Sequence, residues 1–451
     1  METFSIINPY TNRIIETVNY QTYKLVKELS IELANNQKKW KKESLKSRIA
    51  LLQMLRDYLE ENKDILSTTI STEMGKPINE SIKEVKKCID CCHYYTSNYS
   101  LIKKTLHSKK TIKEPVGVVL GIMPWNYPLW QIIRFIIPTL LAGNTCLVKP
   151  APNVYKTAQL LGLFFNSVNL KVCGICIPNE ENTSKLIRED TIHGVSLTGS
   201  VAAGKAVGKI TTEAIKPCVL ELGGSDPFII FDSANIDTAI KHAVQSRFSN
   251  CGQTCIAAKR FYIQESIYQE TIEKFSEKTK EFITFGDPLD GNTTIGPLSK
   301  IDIKNQLNSQ LLKSDISDSM IKYKDDSTDT SGNYFPAMII DGKDISESSP
   351  LLTEEIFGPI AICQPFKTTD EAIEKANQTP FGLGASIWTK NEDIQEQCIN
   401  DIECGTIGIN TMVHSKFDLP FGGRKNSGIG LELGMAGILS FTHNKTILKD
   451  D

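Results

Sequence analysis

The sequence has no apolar run long enough to cross a bilayer. Its greasiest stretch, residues 129–142, is interrupted by Arg134 and Pro138 and falls short of the ~20 residues a spanning helix requires. The start, Met1-Glu-Thr-Phe-Ser-Ile-Ile-Asn-Pro, has no basic segment leading into an apolar one, so no secretory signal is expected. Nor is there an excess of one charge. Fifty Lys and Arg face 53 Asp and Glu, for a net charge of -3. No global basic field exists to attract nucleic acid or an anionic membrane. The clusters Lys38, Lys39, Lys41, Lys42 and Lys109, Lys110, Lys113 read as solvated faces. Twelve cysteines in 451 residues are too sparse for a disulfide-stapled scaffold, and reduced thiols in the cytoplasm are expected. No internal repeat is visible.

What is present is the texture of a large α/β protein with two or three domains. Residues 22–95 carry a helical pattern: Ile49, Leu52, Leu55 and Leu59 recur at helical intervals among Lys and Glu. After Pro115 come short apolar runs bounded by Gly and Pro, at 116–122, 144–149, 194–197 and 227–231, with helical segments at 155–166 and 202–210. Buried strands alternating with helices predict a parallel sheet covered on both faces. A second α/β block follows residue 255, with helices near 267–282 and 369–376. The Ser-, Asp- and Thr-rich stretch 313–334 reads as an exposed loop or a weakly structured insert.

Three motifs resemble ligand sites and stop short. Gly199-Ser-Val-Ala-Ala-Gly204-Lys205 matches a phosphate-binding loop until Ala206, where Ser or Thr should hold Mg²⁺. A glycine-rich helix start facing some phosphate remains open. Cys88-Ile-Asp-Cys91-Cys92-His93 lacks a His directly after its Cys pair, and no second pair follows at zinc spacing. Cys173-Gly-Ile-Cys176 stands alone. Buried structural thiols are expected at both, and no metal-ligand set is.

Three other segments place a reactive residue among turn formers. They are Met123-Pro-Trp125-Asn126-Tyr-Pro128, Leu220-Glu221-Leu-Gly223-Gly224 and Asn250-Cys251-Gly252-Gln253-Thr-Cys255. Each alone has a plain explanation: a turn, a helix cap, a core thiol. Together they supply what aldehyde oxidation needs without a metal. A thiol forms a covalent thiohemiacetal, an amide donor stabilises the oxyanion, and a carboxylate activates water against the thioester.

These segments, in this order, resemble the aldehyde dehydrogenase superfamily. The resemblance extends from Asn8-Pro-Tyr-Thr-Asn12 through Glu355-Ile-Phe357-Gly-Pro359 to 420–428 and covers essentially the whole chain. It implies that Cys255 is the nucleophile, Glu221 the general base, and Asn126 with the Cys255 N–H the oxyanion hole. Cys251, one helical turn before Cys255 if that segment is helical, is the rival thiol, and oxidation would pair the two.

There is no Gly-x-Gly-x-x-Gly fingerprint. The resembled family uses Thr-Gly-Ser at a helix start instead. By that resemblance Gly199 and Ser200 face the pyrophosphate, Lys149 the adenine ribose, Glu355 the nicotinamide ribose, with Trp125 and Phe357 beside the cofactor. NAD-preferring relatives often carry a Glu three positions beyond that Lys. Pro152 stands here, so NADP is expected beside NAD and leads. Members that oxidise succinate semialdehyde carry an Arg at position 134, suited to a carboxylate, and Ser415 lies in a loop like theirs; the plain alternative is an Arg that ties helices together. The expected partner is therefore a small aldehyde bearing a carboxylate. Two alternatives stay open: CoA-dependent reduction of an acyl-CoA such as succinyl-CoA, and a non-catalytic structural role.

The implied architecture is a Rossmann-type cofactor domain at 1–100 and 116–222, an α/β catalytic domain at 223–430, and a small β oligomerisation arm at 101–115 and 431–451. That arm implies a homodimer or homotetramer.

Overall fold

The computed structural model describes residues 2–107, 110–327 and 332–449. Lys109 of the second lysine cluster, and residues 328–331 of the 313–334 stretch, lie outside the described residues. The predicted helical region forms five helices, Tyr23–Trp40, Leu45–Glu61, Lys63–Met74, Ile78–Ser97 and Tyr99–Leu106. Hydroxyl caps start the first two: Thr22 Oγ1 accepts from the Leu25 N–H and Ser44 Oγ from the Ser47 N–H. Each such cap is worth about 1 kcal/mol. Leu52, Leu55 and Leu59 are fully buried, at about 2 kcal/mol apiece. They share one core with Cys88, Cys91, Cys92 and Tyr95, so those thiols serve as packing.

Trp130–Leu141 forms a helix in which every residue is buried. It runs through Pro138 without a break. A mid-helix proline costs about 3 kcal/mol, and burial of Ile132, Ile133, Ile136 and Ile137 outweighs that at about 2 kcal/mol each. Among the described residues no helix is long and apolar enough to cross a membrane.

Five parallel strands and one antiparallel strand make a six-stranded sheet in the order Gly428–Ile429, Cys218–Glu221, Gly194–Thr198, Val118–Ile122, Thr145–Lys149, Cys173–Ile175. The parallel strands start at Val118–Ile122 in the middle, grow outward in one direction, then return to its other side at Gly194–Thr198. This is the dinucleotide-binding order. It opens a crevice at the carboxyl ends of the two middle strands, where the winding reverses. Trp130–Leu141 and Tyr155–Ser167 cover one face, Tyr23–Trp40 and Val201–Glu213 the other.

The second block forms a seven-stranded sheet: Ile321–Lys324, Met338–Asp341, Ile360–Phe366, Ala258–Gln264, Asp226–Ile230, Gly384–Trp388, Thr406–Ile409. Its first strand lies in the stretch read as a loop. Ile321 and Tyr323 turn inward while Lys322 and Lys324 face out, the alternation of an edge strand guarded by lysine. Thr111–Pro115 and Thr442–Thr446 pair with each other as a separate two-stranded ribbon. Ahead of them, 101–106 belong to the helix Tyr99–Leu106 and bury Ile102 and Leu106.

Candidate active site

The Cys255 segment is built on backbone that L-residues rarely adopt. Asn250 (φ 55), Cys251 (φ 53) and Gly252 (φ 70) follow one another in the left-handed region. The helical turn suggested between Cys251 and Cys255 therefore does not form, because three left-handed residues reverse the chain. Cys251 is buried in the core of the seven-stranded sheet. Cys255 is half-buried and packs against the cluster of the N-terminal helices. Only glycine fits at 252: a Cβ there would stand 2.5 Å from both the Gly358 carbonyl oxygen and Arg247 Nη2.

A hydrogen-bond ring ties this turn to the Asn126 loop. Asn250 Nδ2 donates to the Asn126 carbonyl (2.9 Å), Asn126 Nδ2 to the Gln253 carbonyl (3.0 Å), and Gln253 Nε2 to the Asn250 carbonyl (3.1 Å). Gln253 Oε1 accepts from the Ser299 N–H and Glu80 Oε2 from the Asn250 N–H. Asn126 Nδ2 carries two hydrogens. The Gln253 carbonyl holds one, and the other is available to a developing oxyanion.

Cys255 borders two cavities. One, of about 280 Å³, is walled by Trp125, Asn126, Gly199, Ser200, Glu355 and Phe357 among others. The other, of about 200 Å³, is walled by Tyr127, Trp130, Arg134, Met412, Ser415 and Phe421 among others. Burial pushes the Cys255 thiol up to about 11, while Arg134 and Lys259 pull the other way. Lys259 Nζ donates to the Cys255 carbonyl (2.6 Å) and lies 3.7 Å from Glu355 Oε1.

The first cavity lies at the crevice of the six-stranded sheet and suits a dinucleotide. Helix Val201–Glu213 starts there; Ser200 Oγ caps it through the Ala203 N–H, leaving its positive end toward Gly199. A Cβ on Gly204 would stand 2.5 Å from the Leu222 methyls, so this glycine lets the helix sit close on the strand. At Gly223 a Cβ would collide with Glu355 Oε2. Glu355 Oε1 is held by the Gly224 N–H (3.1 Å), and the Trp125 and Phe357 rings meet edge to face at 5.6 Å. Lys149 does not border this cavity. It ends the strand Thr145–Lys149, half-buried near Lys300. Burial lowers the pKa of each ammonium, and Lys149 lowers that of Lys300 further.

Glu221 ends the strand Cys218–Glu221, 2% exposed, and neither of its oxygens has a hydrogen-bond partner among the described residues. Burial, then the neighbouring Glu432, hold its carboxyl well above the usual range, with Arg134 opposing them. It borders neither cavity and lies behind Gly422. Arg134 borders the second cavity, yet its Nε pairs with Glu432 Oε2 at 2.5 Å, its Nη2 lies 3.4 Å from Thr198 Oγ1, and the Phe421 ring covers its guanidinium. Ser415 Oγ accepts from Lys87 Nζ at 2.7 Å.

The sequence matches the model of the aldehyde dehydrogenase family over residues 1–447. The chain belongs to the aldehyde dehydrogenase family. A succinate-semialdehyde dehydrogenase (NADP(+)) from Mycobacterium leprae is 36% identical over 464 residues, 99% of each chain. The Escherichia coli protein Sad, a succinate semialdehyde dehydrogenase (NAD(P)+), is 35% identical over 419 residues, 91% of this chain and 90% of that one. Among solved structures, succinic semialdehyde dehydrogenase from Streptococcus pyogenes in complex with NADP+ superposes with a TM-score of 0.91. It is 30% identical, covering 99% of this chain and 100% of that chain.

Within this aldehyde dehydrogenase, the structure brings Cys255, Asn126, Trp125, Gly199, Ser200, Glu355 and Phe357 around one space, and Cys255, Arg134 and Ser415 around the other. Glu221 and Lys149 stand apart from both. Three charged residues in or just behind the site carried no signal in sequence: Lys87, Lys259 and Glu432. Each depends on partners far away in the chain.

Proposed function

We propose that the protein oxidises succinate semialdehyde to the acid through a covalent thioester on Cys255, with hydride passed to NADP or NAD. The observation that carries this reading is the position of Cys255, the one predicted catalytic residue that borders both cavities. Substrate enters from the Arg134–Ser415 side, and cofactor lies on the Gly199–Glu355 side.

Cys255 Sγ, its proton released to solvent, attacks the carbonyl carbon, and the electron pair of the C=O π bond moves to oxygen. The former carbonyl oxygen takes the spare Asn126 Nδ2 hydrogen and the Cys255 N–H, the paired donors that oxyanion stabilisation requires. A nicotinamide cofactor held beside Cys255 by Trp125, Glu355 and Phe357 would supply the hydride acceptor for the tetrahedral carbon. The thioester that remains needs a water. Glu221 takes that water's proton after its side chain turns from Glu432 toward the thioester, and Cys255 departs as the thiolate. A buried carboxyl with a raised pKa and no fixed partner suits a group that must accept a proton and release it again. The same base favours hydrolysis over transfer to CoA.

Gly199, Ser200, Glu355, Phe357 and Trp125 hold the cofactor. Lys149 and the nearby Lys300, two cations largely withdrawn from water, suit the 2′-phosphate of NADP. Twelve free thiols, nine of them buried, suit a cytoplasmic setting. The cofactor domain at 1–100 and 116–222 and the catalytic domain at 223–430 form the protomer. The ribbon of Thr111–Pro115 and Thr442–Thr446 offers the outer side of Thr442–Thr446 to a second subunit, giving a dimer or tetramer.

The test is NADPH formation from succinate semialdehyde by the wild type and Cys255→Ala. Turnover should vanish in the variant. Retained turnover would remove Cys255 from the mechanism.

A further inference from the structure

The second cavity holds an imbalance of charge. Two cations border it, Lys87 and Arg134, and no carboxylate does. Arg134 is already matched, since Glu432 contacts its guanidinium from behind the wall. Lys87 is not. The carboxylate one helical turn away, Glu84, is committed elsewhere: it contacts Lys76 and accepts from the Leu129 and Trp130 N–H groups at 3.0 Å each. Among the described residues, Lys87 Nζ has the Ser415 hydroxyl at 2.7 Å and the Trp130 ring at 4.4 Å, and no ion pair. Burial, then Arg134, lower its ammonium to about 8, as expected of a cation facing an apolar cavity without a counter-ion. A third group points the same way. Gln131 is 2% exposed, borders the cavity, and its Oε1 has no hydrogen-bond partner. Its amide nitrogen is a hydrogen-bond donor at the cavity wall.

We infer that Lys87 is the cation that takes the carboxylate of the substrate, assisted by the Ser415 hydroxyl and the Gln131 amide. Arg134, neutralised by Glu432, shapes the wall and the field at Glu221. This deepens the substrate reading above and rests on it. The reasoning is one of surplus charge. A carboxylate brought to Lys87 replaces a neutral hydroxyl contact with a charge-assisted one, whereas at Arg134 it must compete with a carboxylate already in place.

The test compares kcat/KM for succinate semialdehyde and for butyraldehyde, which has the same chain length without the carboxylate, using full-length enzyme with NADP. In Lys87→Met the ratio of the two should fall by about 10- to 100-fold, the range for losing a charged hydrogen bond, with the change in KM. Lys87→Arg should recover most of it, and succinate should lose potency as an inhibitor in parallel. Ser415→Ala and Lys87→Gln make the same comparison should Lys87→Met fold poorly, with smaller losses expected for Ser415→Ala. A wild-type ratio near one would overturn the substrate reading itself. A wild-type preference that persists undiminished in Lys87→Met or Lys87→Gln would overturn only the role of Lys87.

Discussion

Replacing Gly252 with alanine tests how Cys255 is held. Two penalties act there. The first is torsional: a φ of 70 costs a residue with a Cβ about 1–2 kcal/mol. Asn250 and Cys251 already tolerate that conformation, so torsion alone does not decide the outcome. The second is steric. The new Cβ would stand 2.5 Å from the Gly358 carbonyl oxygen, which is backbone and cannot swing aside, and 2.5 Å from Arg247 Nη2. Arg247 cannot yield freely either, because it donates to the Gly252 and Ala258 carbonyls from full burial. Overpacking of this kind costs about 1–3 kcal/mol, for a total of about 2–5 kcal/mol.

The relief must move either the Cys255 turn or the segment that follows Phe357, and Cys255 and Phe357 both border the first cavity. Displacing a reacting group by ~1 Å costs about 100-fold in rate. Gly252→Ala should therefore lower both the melting temperature and kcat/KM, the latter by about two orders of magnitude. Steady-state kinetics beside a thermal melt measure both. A variant that melts and turns over like the wild type would refute the claim that Gly252 is a steric requirement.

Three further outcomes follow from the site. Because burial raises the Cys255 thiol to about 11, the neutral form prevails near neutrality, so inactivation of the free enzyme by iodoacetamide should climb about tenfold per pH unit from 7 to 9. A plateau below pH 8 would contradict that, and Cys251→Ser should leave the profile unchanged. Glu221→Gln should form about one equivalent of NADPH in a burst and then turn over about 100-fold more slowly or worse, visible by stopped flow; a wild-type steady state would remove Glu221 from deacylation. Joint substitution of Lys149 and Lys300 by alanine should weaken NADP binding by about tenfold or more and NAD binding less, by calorimetry. Equal losses for both cofactors would exclude a 2′-phosphate role.

Much of the fold was legible because local patterns coincide with tertiary need. The Leu52, Leu55, Leu59 stripe and the strand at 118–122 face cores on every side that their apolar pattern demands. The Ser200 cap and Gly204 announced the helix that closes the crevice. Other features depend on distant partners that no window contains. Glu432 stands 298 residues from Arg134, and only the folded chain shows that the guanidinium is also half of an ion pair. Lys87 looked like any surface lysine until Ser415 and Trp130 enclosed it. The strand Ile321–Lys324 was hidden by a polar neighbourhood, since an edge strand needs only two inward side chains. The turn at Cys251 reversed because Asn250 makes two hydrogen bonds, to Glu80 and to the Asn126 carbonyl, that a local reading does not see.

The short strand Gly428–Ile429 has a mechanical implication. It completes the cofactor sheet from the far end of the chain, lying against the strand that carries Glu221. Next to it, Ser427 Oγ donates to the Gly223 carbonyl and accepts from the Gly382 N–H, stitching three segments together. Closing a loop of some 200 residues costs little more entropy than closing a much shorter one, since the penalty grows only logarithmically. The two sheets therefore share a seam rather than a hinge. Heating should melt them as a single cooperative unit, and an amino-terminal fragment ending before this strand would expose a bare sheet edge beside Glu221.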